Sequence, residues 1–278
     1  MGEHILCARD GAVGIITIDR KHRFGSLDVE TARDLRKAGL QMARDEAVRA
    51  VILRGTGGVF CSGADLKAIR AGASQEDLGY LQPAGTPQRR GYGENFKQIL
   101  EYLHSTISEV RRAAKPFIAA VDGAAAAGGM GLALCCDLVL ASERSTFEYA
   151  YFKTALSGAE STTLLLPKLM GLRRALDFAL LGRRLTAREA MDLGLVSEVY
   201  ADAAFETEVL AVAQRLAQGP TASYAAAKRL MNEAAGLDRL DHHLDRELEA
   251  LVRVADGPDF AEGIDAFFAK RTPHFGGK

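Results

Sequence analysis

The sequence lacks a long apolar run, a strong net charge and a cysteine framework. No run in the 278 residues approaches the roughly 18 apolar residues of a membrane-spanning helix. The formal net charge of −1 provides no overall field that would attract nucleic acid or an anionic membrane surface. The four cysteines form no Cys-x-x-Cys pair, and no secretory signal is evident. We therefore expect reduced thiols, no nucleic-acid or membrane partner, and a cytoplasmic protein.

Several motifs that carry well-known chemistry are also absent. The chain has no Gly-x-Gly-x-x-Gly with an acidic partner, no Walker lysine loop, no Gly-x-Ser-x-Gly elbow and no His-Glu-x-x-His. The adjacent pair His242-His243 would point in different directions on a helix, which makes it a poor metal site. The sequence therefore predicts no metal centre.

Two glycine-bearing stretches are the most informative features that are present. Phe60-Cys61-Ser62-Gly63-Ala64-Asp65-Leu66 follows the apolar run at 50–53, and residues 123–131 follow the run at 117–121. A strand, a glycine turn and a helix N-terminus direct free backbone N–H groups towards one place. Two such turns facing each other would form a two-donor site for an oxygen that gains negative charge. Small residues also serve a purely structural role where strands turn into helices, and that reading stays open for each turn.

Strand-like and helical patterns alternate along the first part of the chain, which indicates an α/β fold. A strand is predicted at 13–18, and Asp28 is placed to cap the helix that follows it. Residues 64–71 read as a helix and residues 72–95 as a long loop that forms a lid or binding loop, or is disordered. From Leu164 the chain is mainly helical.

The order of the motifs is more specific than any one of them. Phe-Cys-Ser-Gly-Ala-Asp-Leu at 60–66 precedes Lys-Pro-Phe-Ile-Ala-Ala-Val-Asp-Gly at 115–123 and Ala-Gly-Gly-Met-Gly-Leu-Ala-Leu-Cys-Cys-Asp at 127–137. Leu-Thr-Ala-Arg-Glu-Ala-Met-Asp-Leu-Gly-Leu-Val at 185–196 and Ala-Phe-Phe-Ala-Lys-Arg-Thr-Pro-His-Phe at 266–275 follow. From Val13 to Phe275 this set resembles the crotonase family, also called the enoyl-CoA hydratase/isomerase superfamily.

The resemblance implies a fold, a division of the chain and an assembly. Residues 1–200 would form a spiral of ββα units that holds the CoA and acyl site. Residues 201–278 would form a C-terminal helical region that builds a homotrimer or a dimer of trimers and completes the site.

The resemblance also implies an acyl-CoA substrate and no resident cofactor, because coenzyme A enters as part of the substrate. The backbone N–H groups of Ala64 and Gly128 would stabilise a thioester enolate, in agreement with the glycine turns. The substrate would be bound by the two turns, by the segment around Arg23 and by the chain end. The residues concerned are Arg23, Phe24, Ser62, Gly63, Asp65, Leu66, Lys67, Gly129, Phe267 and Lys270. For Arg23, Lys67 and Lys270, a solvated surface cation is an equal alternative.

The acidic residues of the family pattern are missing from the expected positions. The two hydratase glutamates fall at Gly131 and Tyr151, and a third acid position falls at Ala159. Glu160, one residue further on, is the leading acid/base candidate, and Tyr151 could donate a hydrogen bond near the thioester. The alternatives are a Glu160 that interacts with a helix N-terminus and tyrosines that only pack. Asp65 is expected to hold its loop, and Glu94 or Tyr92 could reach the pocket from the long loop.

The sequence therefore predicts an enzyme that acts on an acyl-CoA thioester through an enolate, with isomerisation favoured over hydration. Two alternatives remain at this stage. One is an acyl-CoA binding protein that has lost its acid/base groups. The other is a different reaction of the same superfamily, such as thioester hydrolysis, decarboxylation or dehalogenation.

Overall fold

The structure is a computed structural model that describes residues 2–72 and 91–277. Within these ranges the chain forms ten strands: β1 Ile5–Asp10, β2 Val13–Ile18, β3 Ala50–Gly55, β4 Val59–Cys61, β5 Phe117–Val121, β6 Ala124–Ala126, β7 Leu138–Ser142, β8 Thr146–Glu148, β9 Arg184–Thr186 and β10 Glu198–Tyr200.

The strands form two sheets, and from β3 to β8 successive strands alternate between them. The larger sheet has the order β1-β2-β3-β5-β7-β10, and the smaller has the order β4-β6-β8-β9. The β1–β2 and β8–β9 pairs are antiparallel, and the other pairs are parallel. The consecutive pairs β3–β4, β5–β6 and β7–β8 each contribute one strand to each sheet. This repetition forms the predicted spiral of ββα units and confirms the α/β fold class.

The helices come between and after these pairs. They are α1 Val29–Arg44, α2 Leu66–Ala71, α3 Tyr92–Arg112, α4 Gly128–Leu134, α5 Thr162–Met170, α6 Leu172–Leu180, α7 Ala187–Asp192, α8 Phe205–Gln218, α9 Thr221–Ala234, α10 Leu240–Ala255 and α11 Pro258–Ala269. Short 3₁₀ turns lie at Lys21–Arg23, Tyr151–Thr154 and Leu237–Arg239. No helix in the described ranges is both long and apolar enough to cross a lipid bilayer.

The main apolar core lies between the two sheets and the helices α1, α3, α5, α10 and α11. The opposite face of the larger sheet is covered by α8, whose Phe205, Val209 and Ala213 are buried against it. Helix α10 packs along α3, and α11 packs on the 3₁₀ turn at Tyr151–Thr154. Two helices from the end of the chain therefore pack on α3 and on the turn that carries Tyr151. The division of the chain at residue 200 stays a prediction.

Several local predictions can be compared with the structure. The Asp28 carboxylate accepts a hydrogen bond from the Thr31 N–H and caps α1, as predicted. Cys7, Cys61, Cys135 and Cys136 are all free thiols. The prediction of a loop over 72–95 is wrong at its end, because α3 begins at Tyr92. Residues 73–90 of that segment lie outside the described residues.

Candidate active site

The first glycine turn leaves one backbone donor unused. It joins β4 to α2 and lies against the segment before α1, where the Leu27 N–H donates to Gly63 O and the Asp65 N–H donates to Leu27 O, each at 2.8 Å. Successive N–H groups of an extended chain point to opposite sides. The Ala64 N–H therefore points away from Leu27, and within residues 2–72 and 91–277 it donates no hydrogen bond.

The second glycine turn leaves a similar donor at the start of α4. The Ala127 N–H donates to Glu148 O at 3.1 Å, and the Ala127 carbonyl then accepts from the N–H groups of Met130 and Gly131. Gly128 is the first residue of α4, so its N–H has no acceptor within the helix. Among the described residues this N–H has no hydrogen-bond partner.

The two turns that carry these free amides touch each other. A Cβ atom on Gly63 would lie 3.0 Å from the Gly128 nitrogen, and Gly63 also has a positive φ of 91°. Only glycine combines this backbone conformation with such a close approach. Ala64 and Gly128 both line a pocket of about 400 Å³. Two backbone N–H groups without partners thus belong to residues that line one pocket, and the second of them lies at the N-terminus of α4.

The Glu160 carboxyl group lies in this pocket beside the second donor. A Cβ atom on Gly128 would lie 2.7 Å from Glu160 Oε1, so glycine at this position leaves room for the carboxyl group. The Tyr151 hydroxyl donates to Glu160 Oε2. Burial raises the pKa of Glu160 to about 8, although the hydrogen bond from Tyr151 opposes this shift. A carboxyl group with such a pKa can both accept and return a proton near neutral pH.

Glu160 occupies the space that a side chain at the first hydratase position would need. A Cβ atom on Gly131 would lie 2.2 Å from the Glu160 carbonyl oxygen and 2.6 Å from its Cβ. The main chain of Glu160 therefore excludes a side chain at Gly131. Tyr151, at the second hydratase position, contacts the Glu160 carboxyl group.

Glu160 lies at the start of the following helix, directly before its N-cap Ser161, as the alternative reading has it, but another carboxylate binds the N–H groups there. Helix α5 begins at Thr162, and the carboxylate at its N-terminus belongs to Glu247. Sequence reasoning did not find Glu247, because it lies 87 positions after Glu160 and no local motif marks it. Tyr149 matches the packing reading, since its hydroxyl donates to Ser157 O at 2.7 Å and it does not line the pocket.

Asp65 is fixed by its neighbours, as expected. Its carboxylate accepts hydrogen bonds from the N–H groups of Lys67 and Ala68, both at 3.0 Å, and from the Arg23 guanidinium at 2.5 to 3.1 Å. Burial would raise the pKa of Asp65, but Arg23 and the Ala68 N–H outweigh it and hold that pKa below its ordinary value. Asp65 is therefore a permanent anion at neutral pH, and Arg23 is engaged by it at the pocket edge.

The remaining predicted binding residues fall into two groups. Ser62, Leu66, Lys67, Phe24 and Phe267 line the pocket with Arg23 and Asp65. Lys67 is exposed and forms no ion pair in the described part of the chain, so its charge is available at the rim. Phe24 and Phe267 are 66% and 53% exposed. By contrast, Gly63 and Gly129 pack behind the pocket wall, and Lys270, which ends α11, does not line the pocket.

Other pocket residues were not found from the sequence. The apolar wall includes Phe96, Leu156, Leu251 and Phe268, which come from three helices and a loop. The regular apolar spacing of Phe96 in α3 indicates only a buried helix face, not a pocket. Tyr92 and Glu94, for which the sequence left access to the pocket open, do not line it in the described structure. Both lie in the first turn of α3 outside the pocket, and Tyr92 packs on Phe260.

Comparisons with known proteins identify the family of this chain. The sequence model of the enoyl-CoA hydratase/isomerase family matches residues 8–278. This match covers nearly the whole chain. The chain therefore belongs to the enoyl-CoA hydratase/isomerase family.

The relatives and the solved structure described next match this chain over nearly its full length. The chain is 34% identical over 267 residues to a Rhodobacter capsulatus protein named "probable enoyl-CoA hydratase", covering 96% of this chain and 95% of that one. It is 31% identical over 278 residues to the 1,2-epoxyphenylacetyl-CoA isomerase of Escherichia coli K12, covering 100% of both. The crystal structure of an enoyl-CoA hydratase from Mycobacterium avium subsp. paratuberculosis K-10 matches with a TM-score of 0.84 at 32% identity, covering 98% of each chain. This family member is thus an enzyme that acts on CoA thioesters.

Proposed function

We propose that this enzyme isomerises the double bond of an enoyl-CoA thioester through an enolate. The N–H groups of Ala64 and Gly128 bind the thioester oxygen, and Glu160 is the single acid/base. The observation that supports this proposal is the position of the Glu160 carboxyl group beside Gly128, in the pocket that both free amides line.

The proposed reaction needs one proton to leave and one to return. Ionised Glu160 removes a proton from the α-carbon of a Δ3-enoyl thioester, and the electron pair moves towards the thioester oxygen. The two N–H donors interact more strongly with this oxygen as its negative charge increases. The protonated Glu160 then returns the proton to the γ-carbon, which gives the Δ2-enoyl product. Tyr151 holds the carboxyl group through the hydrogen bond to Oε2.

Hydration is less well supported because it would use two carboxyl groups around a water molecule. Apart from Glu160, the acidic side chain that lines the pocket in the described ranges is Asp65. The pKa of Asp65 is lowered by Arg23 and the start of α2, so it does not exchange protons near neutral pH. A single titrating carboxyl group is sufficient for isomerisation.

We also propose how the rest of the substrate is bound. Lys67 and Arg23 at the rim interact with CoA phosphates, and Phe24 and Phe267 pack on the CoA moiety. In a homotrimer or dimer of trimers, Lys270, which does not line this pocket, reaches CoA bound to a neighbouring subunit. Coenzyme A enters with the substrate, and no resident cofactor takes part.

The test of this proposal is the Glu160→Gln variant, assayed with Δ3- and Δ2-enoyl thioesters of several chain lengths. Loss of a positioned general base lowers the rate about 100- to 10,000-fold, so we expect kcat to fall in this range. Glu94→Gln is the matched control, because Glu94 lies outside the pocket, and it should retain wild-type turnover.

Three other results would contradict the proposal. Unchanged turnover in Glu160→Gln would remove Glu160 from the mechanism. Release of free CoA by the wild-type protein would indicate thioester hydrolysis instead. Tight acyl-CoA binding in calorimetry, with no turnover of any thioester, would indicate a binding protein.

A further inference from the structure

The chain takes an unusual path where it carries Glu160 into the pocket. Glu160 and Ser161 are consecutive residues with positive φ values of 51° and 65°, and neither is glycine. Residues with a Cβ atom rarely adopt this left-handed conformation, and two in succession need support from the surrounding structure. The Ser161 hydroxyl is buried and makes no hydrogen bond with any described residue, so the serine side chain does not supply that support.

A second buried glutamate holds this turn from the other side. Glu247, which is 4% exposed, comes from the middle of α10. Its Oε2 accepts from the Ser161 N–H at 2.7 Å, and its Oε1 accepts from the Thr163 N–H at 3.0 Å. The Thr163 hydroxyl also donates to Oε1. One carboxylate thus binds the N–H groups of Ser161 and Thr163 at the start of α5, which fixes the backbone immediately after Glu160.

The backbone of Glu160 itself is held by a histidine from a third element. The Glu160 N–H donates to His104 Nε2 at 3.4 Å. Burial lowers the pKa of His104 to about 3, so its ring is neutral and can accept this hydrogen bond. The turn is therefore supported by α3 on one side and by α10 on the other.

We propose that Glu247 is a positioning residue. Its hydrogen bonds from the Ser161 and Thr163 N–H groups hold Glu160 in the left-handed conformation and thereby place the Glu160 carboxyl group beside Gly128. This inference rests on the proposed role of Glu160 as the acid/base. Glu247 does not line the pocket, so it acts through Glu160 and not on the substrate.

The charges around Glu160 give this proposal a measurable signature. The titratable groups that face the turn are Tyr149 and Tyr151, His104 from α3, Cys61 from β4, and Glu247 and His243 from α10. The negative charge of Glu247 raises the pKa of Glu160 in addition to burial. Three hydrogen-bond donors favour the ionised form of Glu247 and oppose the rise in its own pKa that burial causes.

The experiment compares wild type with Glu247→Gln, which keeps the shape of the side chain and removes its charge. We expect kcat to fall about 10- to 100-fold, because small displacements of a reacting group have effects of this size, with KM little changed. The lower limb of the pH profile of kcat/KM should move to lower pH, because the charge that opposes Glu160 ionisation is removed. Glu249→Gln, an exposed glutamate on the same helix, is the control and should change neither quantity.

Two further variants distinguish the positioning effect of Glu247 from the effect of its charge. They also test the proposal if Glu247→Gln does not fold. Glu247→Asp keeps the charge but is too short to bridge both amides, so kcat should fall while the pH limb stays close to wild type. The double variant Glu247→Gln/Ser161→Gly should recover part of kcat, because glycine adopts the left-handed conformation without support. Unchanged kcat and an unchanged pH limb in Glu247→Gln would overturn the proposal, as would the absence of any kcat loss in Glu247→Asp.

A readout independent of turnover distinguishes this inference from the proposed function. The infrared band of the protonated Glu160 carboxyl group, identified by its loss in Glu160→Gln, can be titrated in the free protein. A titration midpoint that is lower in Glu247→Gln supports the coupling even if no enoyl thioester is isomerised. An active isomerase in which Glu247→Gln leaves this midpoint unchanged contradicts the inference and leaves the proposed function intact.

Discussion

At the scale of single residues, two carboxyl groups in the same pocket have opposite properties. Asp65 accepts two amide hydrogen bonds and a bidentate interaction from Arg23, which lower its pKa. Glu160 has one hydroxyl donor and is fully enclosed, so that burial raises its pKa to about 8. Because these environments shift the two pKa values in opposite directions, we expect Asp65 to stay a fixed anion and Glu160 to carry the proton.

The raised pKa of Glu160 predicts a specific dependence of stability on pH. The unfolded chain releases this proton near the ordinary value of 4.5, whereas the folded protein keeps it to about pH 8. Between these values the folded state binds the additional proton, so the free energy of unfolding falls as the pH rises. Each unit by which the folded and unfolded pKa values of Glu160 differ corresponds to about 1.4 kcal/mol of unfolding free energy. Above about pH 8 both states have released the proton, so this contribution no longer changes with pH.

The measurement is the melting temperature of wild type and Glu160→Gln from pH 5 to pH 9. Glutamine does not ionise, so the variant should melt higher than wild type at pH 8.5, and the difference should become smaller towards pH 5. A difference that stays constant over this range, or that increases towards acid pH, would contradict the assignment of a buried carboxyl group with a raised pKa.

At the scale of secondary-structure elements, Asp65 and Asp28 offer a matched pair of helix caps. Asp65 caps α2 and binds Arg23, and Asp28 caps α1 and binds Arg20 at 2.8 Å. Only Asp65 lies in the loop that carries the Ala64 donor and lines the pocket. Replacement of either cap by alanine should cost about 1 kcal/mol or more of stability.

We therefore expect both Asp65→Ala and Asp28→Ala to lower the urea midpoint, but only Asp65→Ala to lower kcat/KM. Complete loss of one positioned oxyanion donor lowers the rate about 100- to 1,000-fold. The fall in kcat/KM of Asp65→Ala should not exceed this range. If Asp28→Ala reduces turnover as strongly as Asp65→Ala, the loop position of Ala64 is not controlled by the Asp65 cap.

The sequence predicts those elements whose signals are local. The Asp28 cap, the strand at 13–18 and the two glycine turns depend on neighbouring residues, and all are present. The start of α3 at Tyr92 was missed, because glycine and tyrosine around it gave no helical pattern before Phe96. Glu247 and His104 could not be found, since their contacts with the Glu160 turn join positions 56 to 86 residues apart. The left-handed conformation of Glu160, which decides where its carboxyl group points, depends on these remote contacts.

At the scale of the whole molecule, the helices at the end of the chain differ in how much they are covered. Helix α8 buries Phe205 and Val209 against the larger sheet, and α10 buries Leu244 and Leu251. Helix α9 between them has no buried residue, and its Leu230 and Met231 are 58% and 70% exposed. Large apolar side chains exposed together on one helix are typical of a surface that another chain covers. This uncovered face is consistent with the proposed assembly through the C-terminal helices.

The final prediction tests which apolar face forms this assembly. The double variant Leu230→Asp/Met231→Asp places two charges on α9 and should shift the mass in analytical ultracentrifugation from a trimer or hexamer to smaller species, because burying unpaired carboxylates is unfavourable. The comparison is Leu172→Asp on α6, because Leu172, Leu176 and Leu180 of that helix are 64%, 48% and 65% exposed and form another apolar face that a neighbouring chain could cover. Because Lys270 is proposed to reach CoA on a neighbouring subunit, the α9 variant should also show a raised KM for acyl-CoA with a smaller change in kcat. Dissociation by Leu172→Asp alone, or a wild-type protein that sediments as a monomer, would contradict assembly through α9.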